Sequence, residues 1–336
     1  MSRKHFTIPV FIPEMACPHQ CIYCNQHMIS GAKKIPDEKG VISIIEKYLS
    51  TIDYKNNEVE VGFFGGSFTG IPIVHQVNYL KLVQPYIEIG IVKSVRISTR
   101  PDYINDEVLN VLKEYKVKTI ELGAQSLDDE VLELSERGHT VAHVENAALR
   151  IKAMGFELGL QMMIGLPDDN LEKSIATAEK IIGLKANNTR IYPCLVIKNT
   201  KLENLYNQSK YKVLTINECV VYLKHLIPLF ENADIQILRI GLHPSKDLDD
   251  GAFIAGPFHP SLRQLAETEI WFDKLKAFEK KSDKSKEIVI YVAVNERNSA
   301  IGYQAKNKKY LDQYFKKVSF VIDNNLNKKD YYVDIH

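Results

Sequence analysis

The run Cys17-Pro18-His19-Gln20-Cys21-Ile22-Tyr23-Cys24 sets the frame for the whole chain. Its cysteines are spaced C-x-x-x-C-x-x-C. Thiolates are the ligands that hold iron–sulfur clusters. A cubane has four irons, so three cysteines leave one iron without a protein ligand and able to bind a small molecule. A zinc knuckle short of one ligand and a set of buried thiols are the competing readings. Structural zinc takes four ligands, and the other two cysteines, Cys194 and Cys219, lie far away in sequence. His19 and His27 are nearby candidates for a fourth ligand.

The chain has 336 residues, 45% hydrophobic and 25% charged, with a formal net charge of +1. That balance is ordinary for a soluble globular chain and excludes a polyelectrolyte binder as a whole. Five cysteines, three of them clustered, do not make an extracellular disulfide framework. No apolar run reaches membrane-spanning length, and Met1-Ser2-Arg3-Lys4-His5 leads into a strand-like segment without an apolar signal core. The expectation is a cytoplasmic protein of a reducing or anaerobic setting, without membrane contact. Charge is uneven. From Lys274 to Lys329, 14 Lys and Arg stand against 6 Asp and Glu, a net of +8. A charge run is usually a solvated face, but a basic C-terminal module is also what a nucleic-acid substrate calls for.

Short β-branched and apolar runs alternate with amphipathic stretches. Strands are expected at 7–12, 59–64, 95–98, 119–122, 158–164, 190–196 and 235–239, with helices between them. This alternation implies an α/β fold with a mostly parallel sheet. About six such units in ~240 residues fall short of a complete eight-unit barrel of about 250 residues. The expected architecture is a partial (βα)6-type barrel with its site at the carboxyl ends of the strands. Residues 241–260 read as loop, including Gly241-Leu242-His243-Pro244. The charged stretch 280–286 is the expected boundary between a first domain, 1–279, and a small basic α+β module, 287–336.

Five motifs fall at strand ends. Gly65-Gly66-Ser67-Phe68 offers free amides and close backbone approach. In Ser98-Thr99-Arg100-Pro101-Asp102, Arg100 supplies a planar fork suited to a carboxylate, and the hydroxyls suit a ribose. Gln125, in Glu121-Leu122-Gly123-Ala124-Gln125-Ser126, is placed for ribose or substrate hydroxyls. The loop Glu136-Arg137-Gly138-His139-Thr140 follows, and Arg137 is equally readable as a surface partner of Glu133. In Gln161-Met162-Met163-Ile164-Gly165, Gly165 admits a flat ring and the apolar side chains suit adenine. Cys194, in Tyr192-Pro193-Cys194-Leu195-Val196, reads as a buried small hydrophobe.

The cysteine run, with Tyr23 before its last cysteine, resembles the signature of the radical S-adenosylmethionine (radical SAM) enzymes. Gly65-Gly66-Ser67-Phe68 and Thr99-Arg100-Pro101-Asp102 are similar to segments of the Elongator catalytic subunit family. The Gln125-Ser126 and Arg137-Gly138-His139 block resembles one shared with coproporphyrinogen-oxidase-type members. The resemblance covers about two thirds of the chain. It implies a [4Fe–4S] cluster on Cys17, Cys21 and Cys24, with SAM chelated at the open iron and cleaved to a 5′-deoxyadenosyl radical. It also implies cofactor contacts from Tyr23, Gly65, Gly66, Ser67, Ser98, Arg100, Gln125, Gln161 and Gly165, and an electron donor such as flavodoxin or ferredoxin. No acetyltransferase domain is expected, because the chain ends too early for one, and no long N-terminal RNA-binding extension is read.

Residues 287–323 read strand, helix, helix, strand around Gly302-Tyr303-Gln304-Ala305. This resembles a minimal KH-like RNA-binding fold, whose Gly-x-x-Gly turn clamps nucleotide backbone, with Ala305 in place of the second glycine. The expected substrate is therefore RNA, tRNA first. The rivals are a small-molecule enzyme resembling coproporphyrinogen oxidase and a non-catalytic cluster protein that binds RNA or handles haem.

Overall fold

The computed structural model describes residues 4–12, 21–25, 35–242 and 251–336. The chain divides into two compact units, Met1–Thr215 with Leu229–Phe258, and Ile216–Pro228 with His259–His336. The first holds β1 (His5–Phe11), β2 (Glu58–Phe64), β3 (Ser94–Thr99), β4 (Val117–Gln125), β5 (Glu157–Ile164), β6 (Asn188–Pro193), β7 (Val196–Ile197), β8 (Gln236–Ile240) and β9 (Phe253–Ala255). Seven of these described strands form one parallel sheet in the order β1-β2-β3-β4-β5-β6-β8. Each strand lies beside its predecessor and the order never reverses. A doubly wound sheet reverses at a switch point, whereas an unreversed order builds a barrel wall. Among the described residues β1 and β8 are edges, so the wall is a partial barrel.

Helices α1 (Glu38–Leu49), α2 (Ile73–Glu88), α3 (Asp106–Glu114), α4 (Asp129–Leu134), α5 (Val141–Ala153) and α6 (Leu171–Gly183) occupy the connections. Five of their starts are written locally. Asp37, Asn105, Asp128, Thr140 and Asn170 each accept a backbone amide of the first turn, a cap worth about 1 kcal/mol. Strand alternation sorts the two faces of the sheet. Val59, Val61, Phe63, Val95, Ile97, Ile120, Leu122, Leu158 and Leu160 are fully buried, each contributing about 1.5–3 kcal/mol by leaving water. The alternate set, which faces the concave side, includes the polar Glu60, Arg96, Glu121 and Gln161.

There they form a continuous ladder. Thr7 donates to Glu60 Oε1 at 2.7 Å, and Arg96 Nε donates to the same oxygen at 2.7 Å. Arg96 Nη1 reaches Glu121 Oε1 at 2.8 Å. Arg190 donates to Glu121 from Nε at 2.7 Å and from Nη2 at 3.0 Å, and Gln161 Nε2 donates at 2.7 Å. Glu60, Arg96 and Glu121 are all buried, and buried charges stand only when matched in this way.

The structure departs from the sequence reading in three places within this unit. The strand expected over 190–196 stops at Pro193, which has no N–H to continue a ladder. The chain then turns into β7, which pairs antiparallel with β9, inside a stretch read as loop. Helix α7 (Lys201–Asn207) was not anticipated. His243 and Pro244 lie outside the described residues. Among the described residues no helix is long and apolar enough to cross a membrane.

The domain boundary also moves. Helix α8 (Ile216–Asn232) begins within the second unit, which continues as α9 (Leu262–Leu275), β10 (Asp283–Val292), α10 (Arg297–Ile301), α11 (Lys306–Leu311), β11 (Phe315–Ile322) and β12 (Tyr331–Ile335). Trp271 and Leu275 of α9 share one apolar core with Ile288, Ile290, Val292, Leu311 and Phe315. The boundary at 280–286 therefore cuts through a packed unit. Strand β10 pairs parallel with β11 and antiparallel with β12. Trp271 Nε1 donates to the buried Glu296 at 2.9 Å, and Lys329 pairs with the same carboxylate at 3.0 Å.

Burial pushes the Glu60 carboxyl up, but hydrogen bonds and charge from His5, Arg96 and Thr7 outweigh it and hold its pKa at about 2, against an ordinary 4.5. A depressed folded-state pKa contributes stability that is present above the unfolded value and lost as pH falls. Glu60→Gln is expected to cost about 3 kcal/mol near neutral pH. That difference should shrink between about pH 4.5 and about pH 2. Urea titrations across this window check it, and a difference constant down to pH 2 would show that Glu60 is not the titrating group.

Candidate functional site

The carboxyl ends of β1 to β3 are locked together by short side chains. Ile12 N donates to Phe64 O at 2.7 Å, pressing the end of β2 against the chain after β1. A Cβ on Gly65 would stand 3.3 Å from Ile12 N, and Gly65 has φ +106°, so glycine is required there. Gly66, Ser67 and Ser98 line a narrow crevice with Ile12, Phe63 and Phe64. The Ser67 hydroxyl is committed inward. It bonds Thr99 Oγ1 at 2.9 Å and accepts Arg100 N at 3.1 Å. Ser67 therefore pins β2 to β3 rather than presenting its hydroxyl to a ligand.

Arg100 also departs from expectation. Its Nε and Nη2 donate to Asp102 at 2.9 Å each, so the fork expected to take a ligand carboxylate already holds one. Among the described residues only the buried Nη1 lacks a partner. Gln161 spends its Nε2 on Glu121, with Ser98 Oγ at 3.4 Å. Gln125 sits at a break in the β4–β5 register with φ +64°, a bulge that re-aims the strand end. Gly165 (φ +74°) does not leave room for a flat ring. A Cβ there would meet Leu214 Cδ1 at 2.7 Å, its amide donates to Asp169 at 2.7 Å, and its carbonyl accepts the Tyr211 hydroxyl.

Cys21 and Cys24 lie on a tight turn, Cys24 N donating to Cys21 O at 3.0 Å, while Cys17 lies outside the described residues. Three segments hold this loop. Ile22 N donates to Ser135 O at 3.3 Å, Leu202 N of α7 donates to Ile22 O at 2.8 Å, and Asn25 Nδ2 reaches Lys198 O at 3.4 Å. A cavity of about 340 Å³ is lined by Cys21, Cys24 and residues 199–201, 203 and 204.

Arg137 completes the arrangement. It is buried, not paired with Glu133 at the surface. Its Nη1 donates to Cys21 Sγ at 3.3 Å and its Nη2 to Gly123 O at 2.7 Å, joining the cysteine loop to β4. Gly123 lies opposite because a Cβ there would come within 3.1 Å of Arg137 Nη2. Arg137 Nε and the Tyr23 hydroxyl are buried without partners among the described residues. Burial pushes that hydroxyl well above the ordinary tyrosine range, so Tyr23 stays neutral. Burial, then the charges of Arg137 and Arg100, lower His139 to about 3, so this imidazole is neutral too. Cys194 packs in the same apolar cluster as Cys21 and Tyr23. Burial raises its thiol to about 12, which leaves it a neutral filler rather than a thiolate.

Sequence reasoning missed two contributors. The α7 turn carries a signal, Thr200-x-x-Glu203, and Thr200 Oγ1 accepts Glu203 N at 3.2 Å as a cap does. Arg137 stood in a quoted motif, but nothing local distinguished a buried cation from a surface one. The donor set fits an iron–sulfur cluster. Two thiols stand on one anchored turn, a buried guanidinium offsets thiolate charge beside them, and buried donors nearby have no partner among the described residues.

Residues 13–181 match the radical SAM superfamily, and residues 186–271 match the radical SAM C-terminal domain. An uncharacterised protein of Methanocaldococcus jannaschii is 30% identical over 68% of this chain and 74% of its own length. A tRNA uridine(34) acetyltransferase of the same organism is 26% identical over 63% of this chain and 47% of its own. The chain thus spans about half the length of the tRNA uridine(34) acetyltransferases it matches. Among solved structures, the archaeal Methanocaldococcus infernus Elp3 with an N-terminal deletion superposes with a TM-score of 0.61 at 19% identity, over 84% of this chain and 64% of that one. With its partial barrel and its cysteine turn set against Arg137, the chain belongs to the radical SAM superfamily, whose enzymes work with a [4Fe–4S] cluster and S-adenosylmethionine.

Proposed function

We propose that this enzyme cleaves SAM at a cluster held by Cys17, Cys21 and Cys24 and directs the resulting radical at RNA, tRNA first. The observation that carries the cleavage step is Arg137, a buried cation on Cys21 Sγ with Nε unspent. When bound, the cluster and SAM supply the reductive cleavage of a sulfonium bond that yields methionine and a 5′-deoxyadenosyl radical.

The chain's own residues supply position and charge. Arg100 has given its fork to Asp102, whereas Arg137 keeps a buried Nε donor with no partner among the described residues and a positive charge beside the cysteine turn. Tyr23 packs beside Cys21 in one apolar cluster. Gly65 and Gly66 bring backbone amides to the mouth of the barrel, and Ser98, Gln125 and Gln161 stand at the neighbouring strand ends. The buried ladder beneath them keeps these groups fixed, so little reorganisation is needed when ligand binds.

Support for RNA comes from relatives named for uridine 34 of tRNA, together with the basic second unit. One observation favours the small-molecule reading. Lys306 is paired with Glu269 and Lys308 with Asp312, and the Tyr303 amide of the Gly302-Tyr303-Gln304-Ala305 turn is spent on Thr268 at 2.8 Å. Over the whole second unit 16 Lys and Arg face 12 Asp and Glu, a net of +4 in place of the +8 of the basic window.

Anaerobic reconstitution followed by nucleoside mass spectrometry of tRNA from a deletion strain tests the substrate. One modified nucleoside should disappear and return with the wild-type gene. An unchanged nucleoside profile moves the assignment to a small molecule.

Ala at Cys17, Cys21 or Cys24 should abolish cluster absorption and SAM cleavage, whereas Cys194→Ala and Cys219→Ala should retain both. Loss of the cluster in Cys194→Ala would overturn the three-ligand assignment.

Arg137→Lys keeps the charge but loses the Nε donor and the planar contacts to Cys21 and Gly123, so SAM affinity should fall at least about tenfold with iron content retained. Arg100→Lys should change SAM affinity less than about twofold, since its fork serves Asp102. Equal losses in equilibrium binding for the two variants would return the carboxylate contact to Arg100.

A further inference from the structure

The concave ladder is balanced up to its last strand and not beyond. Glu60 and Glu121 match Arg96 and Arg190, so those four carry no net charge. Arg239 on β8 adds one more positive charge. It is the register partner of Arg190, so both side chains leave the sheet on the same face. Its Nε donates to Gly241 O at 2.9 Å, which fixes the stem, and the two terminal nitrogens have no hydrogen-bond partner among the described residues. Among the described residues no acidic side chain pairs with it.

Its surroundings deepen the imbalance. Burial lowers the Arg239 pKa and the Arg190 charge lowers it further, with the Tyr192 hydroxyl acting the other way. Tyr192, two residues along β6 from Arg190, shares this face. The Arg190 guanidinium stands over the Phe64 ring at 5.5 Å. A half-buried fork beside a second guanidinium is poorly served by water alone and well served by an oxyanion.

We propose that Arg239, with Tyr192 beside it, forms a subsite for an oxyanion of the substrate, a carboxylate or a phosphate carried by the molecule the radical attacks. The subsite is separate from the cysteine turn. Arg137 is tied to β4, and β8 lies three strands further across the wall, roughly 14 Å at about 4.8 Å per strand. One carboxylate does not serve both. The naming of phosphate as the source rests on the RNA reading above, under which the oxyanion is a phosphodiester. Under the small-molecule reading it is a carboxylate.

The test uses the full-length, anaerobically reconstituted protein with SAM present. Inorganic phosphate and acetate are titrated by calorimetry, and unmodified tRNA is titrated by filter retention. Wild type, Arg239→Gln, Arg239→Lys and Tyr192→Phe are compared, with cluster absorbance and melting temperature as the measure of folding. Arg239→Gln should weaken phosphate binding at least tenfold, and Arg239→Lys should recover part of the loss. Tyr192→Phe, which keeps every charge, should weaken it twofold to fivefold and serves if Arg239→Gln does not fold. A parallel loss of tRNA affinity supports the phosphodiester source. Loss of phosphate and acetate binding in Arg239→Gln, against a wild type that binds both anions but does not retain tRNA, supports the subsite with a carboxylate source and overturns only the RNA reading. Unchanged affinities in Arg239→Gln and Tyr192→Phe, or a wild type that binds neither small anion, overturn the subsite.

Discussion

Glu121 is the interaction on which the barrel interior depends. A fully buried carboxylate is tolerated only when every lone pair is engaged by matched donors. Its two oxygens receive Arg96 Nη1, both Arg190 nitrogens and Gln161 Nε2. These donors come from β3, β5 and β6, so a single charge fixes the relative positions of four strands. Neighbouring choices follow from it. Gly159 lacks a side chain because a Cβ there would stand 2.8 Å from Glu121 Cγ. Removing one partner of such a set costs about 3–5 kcal/mol, because the remaining charge stays buried without compensation.

The cysteine turn owes its place to residues far from it in sequence. Ser135 and Leu202 hold the backbone at Ile22, and Arg137 holds the Cys21 sulfur. The same guanidinium reaches Gly123 O, so the turn is anchored to the strand whose end carries Gln125. A short loop carrying two sulfurs has little reason of its own to adopt one conformation, since ordering each residue costs about 1–2 kcal/mol. Contacts from three segments supply that ordering. The positive charge of Arg137, delivered in a dry setting, suits a site that gathers thiolates.

Charge in the second unit shows how folding revises a linear count. The basic window carries +8, but α9 brings Glu267, Glu269 and Asp273 into the same unit. Glu269 takes Lys306, while Asp273 takes Lys224 and Lys276. Lys309 keeps its charge exposed with no acidic partner among the described residues. The Gly302-Tyr303-Gln304-Ala305 turn has left-handed backbone at Gly302, Gln304 and Ala305, yet it is sewn to α9 through Thr268. A positive window in the sequence and a positive surface are different quantities.

Much of the architecture was written in local pattern. Alternation of apolar residues, caps such as Asn105 and Asn170, and the cysteine spacing are short-range signals, and they were enough for the parallel α/β wall and two of the described site features, Cys21 and Cys24. What failed locally failed for a common reason. Arg100 and Ser67 have donors that suit a ligand, but only the fold shows that Asp102 and Thr99 already hold them. Arg137 and Glu121 read as ordinary charged residues until strands far apart in the chain close around them and exclude water. The sequence determined which groups exist and the period at which they recur. The tertiary structure alone decided which groups are spent on one another and which remain for a ligand, because that depends on desolvation and pairing across strands that no local window contains.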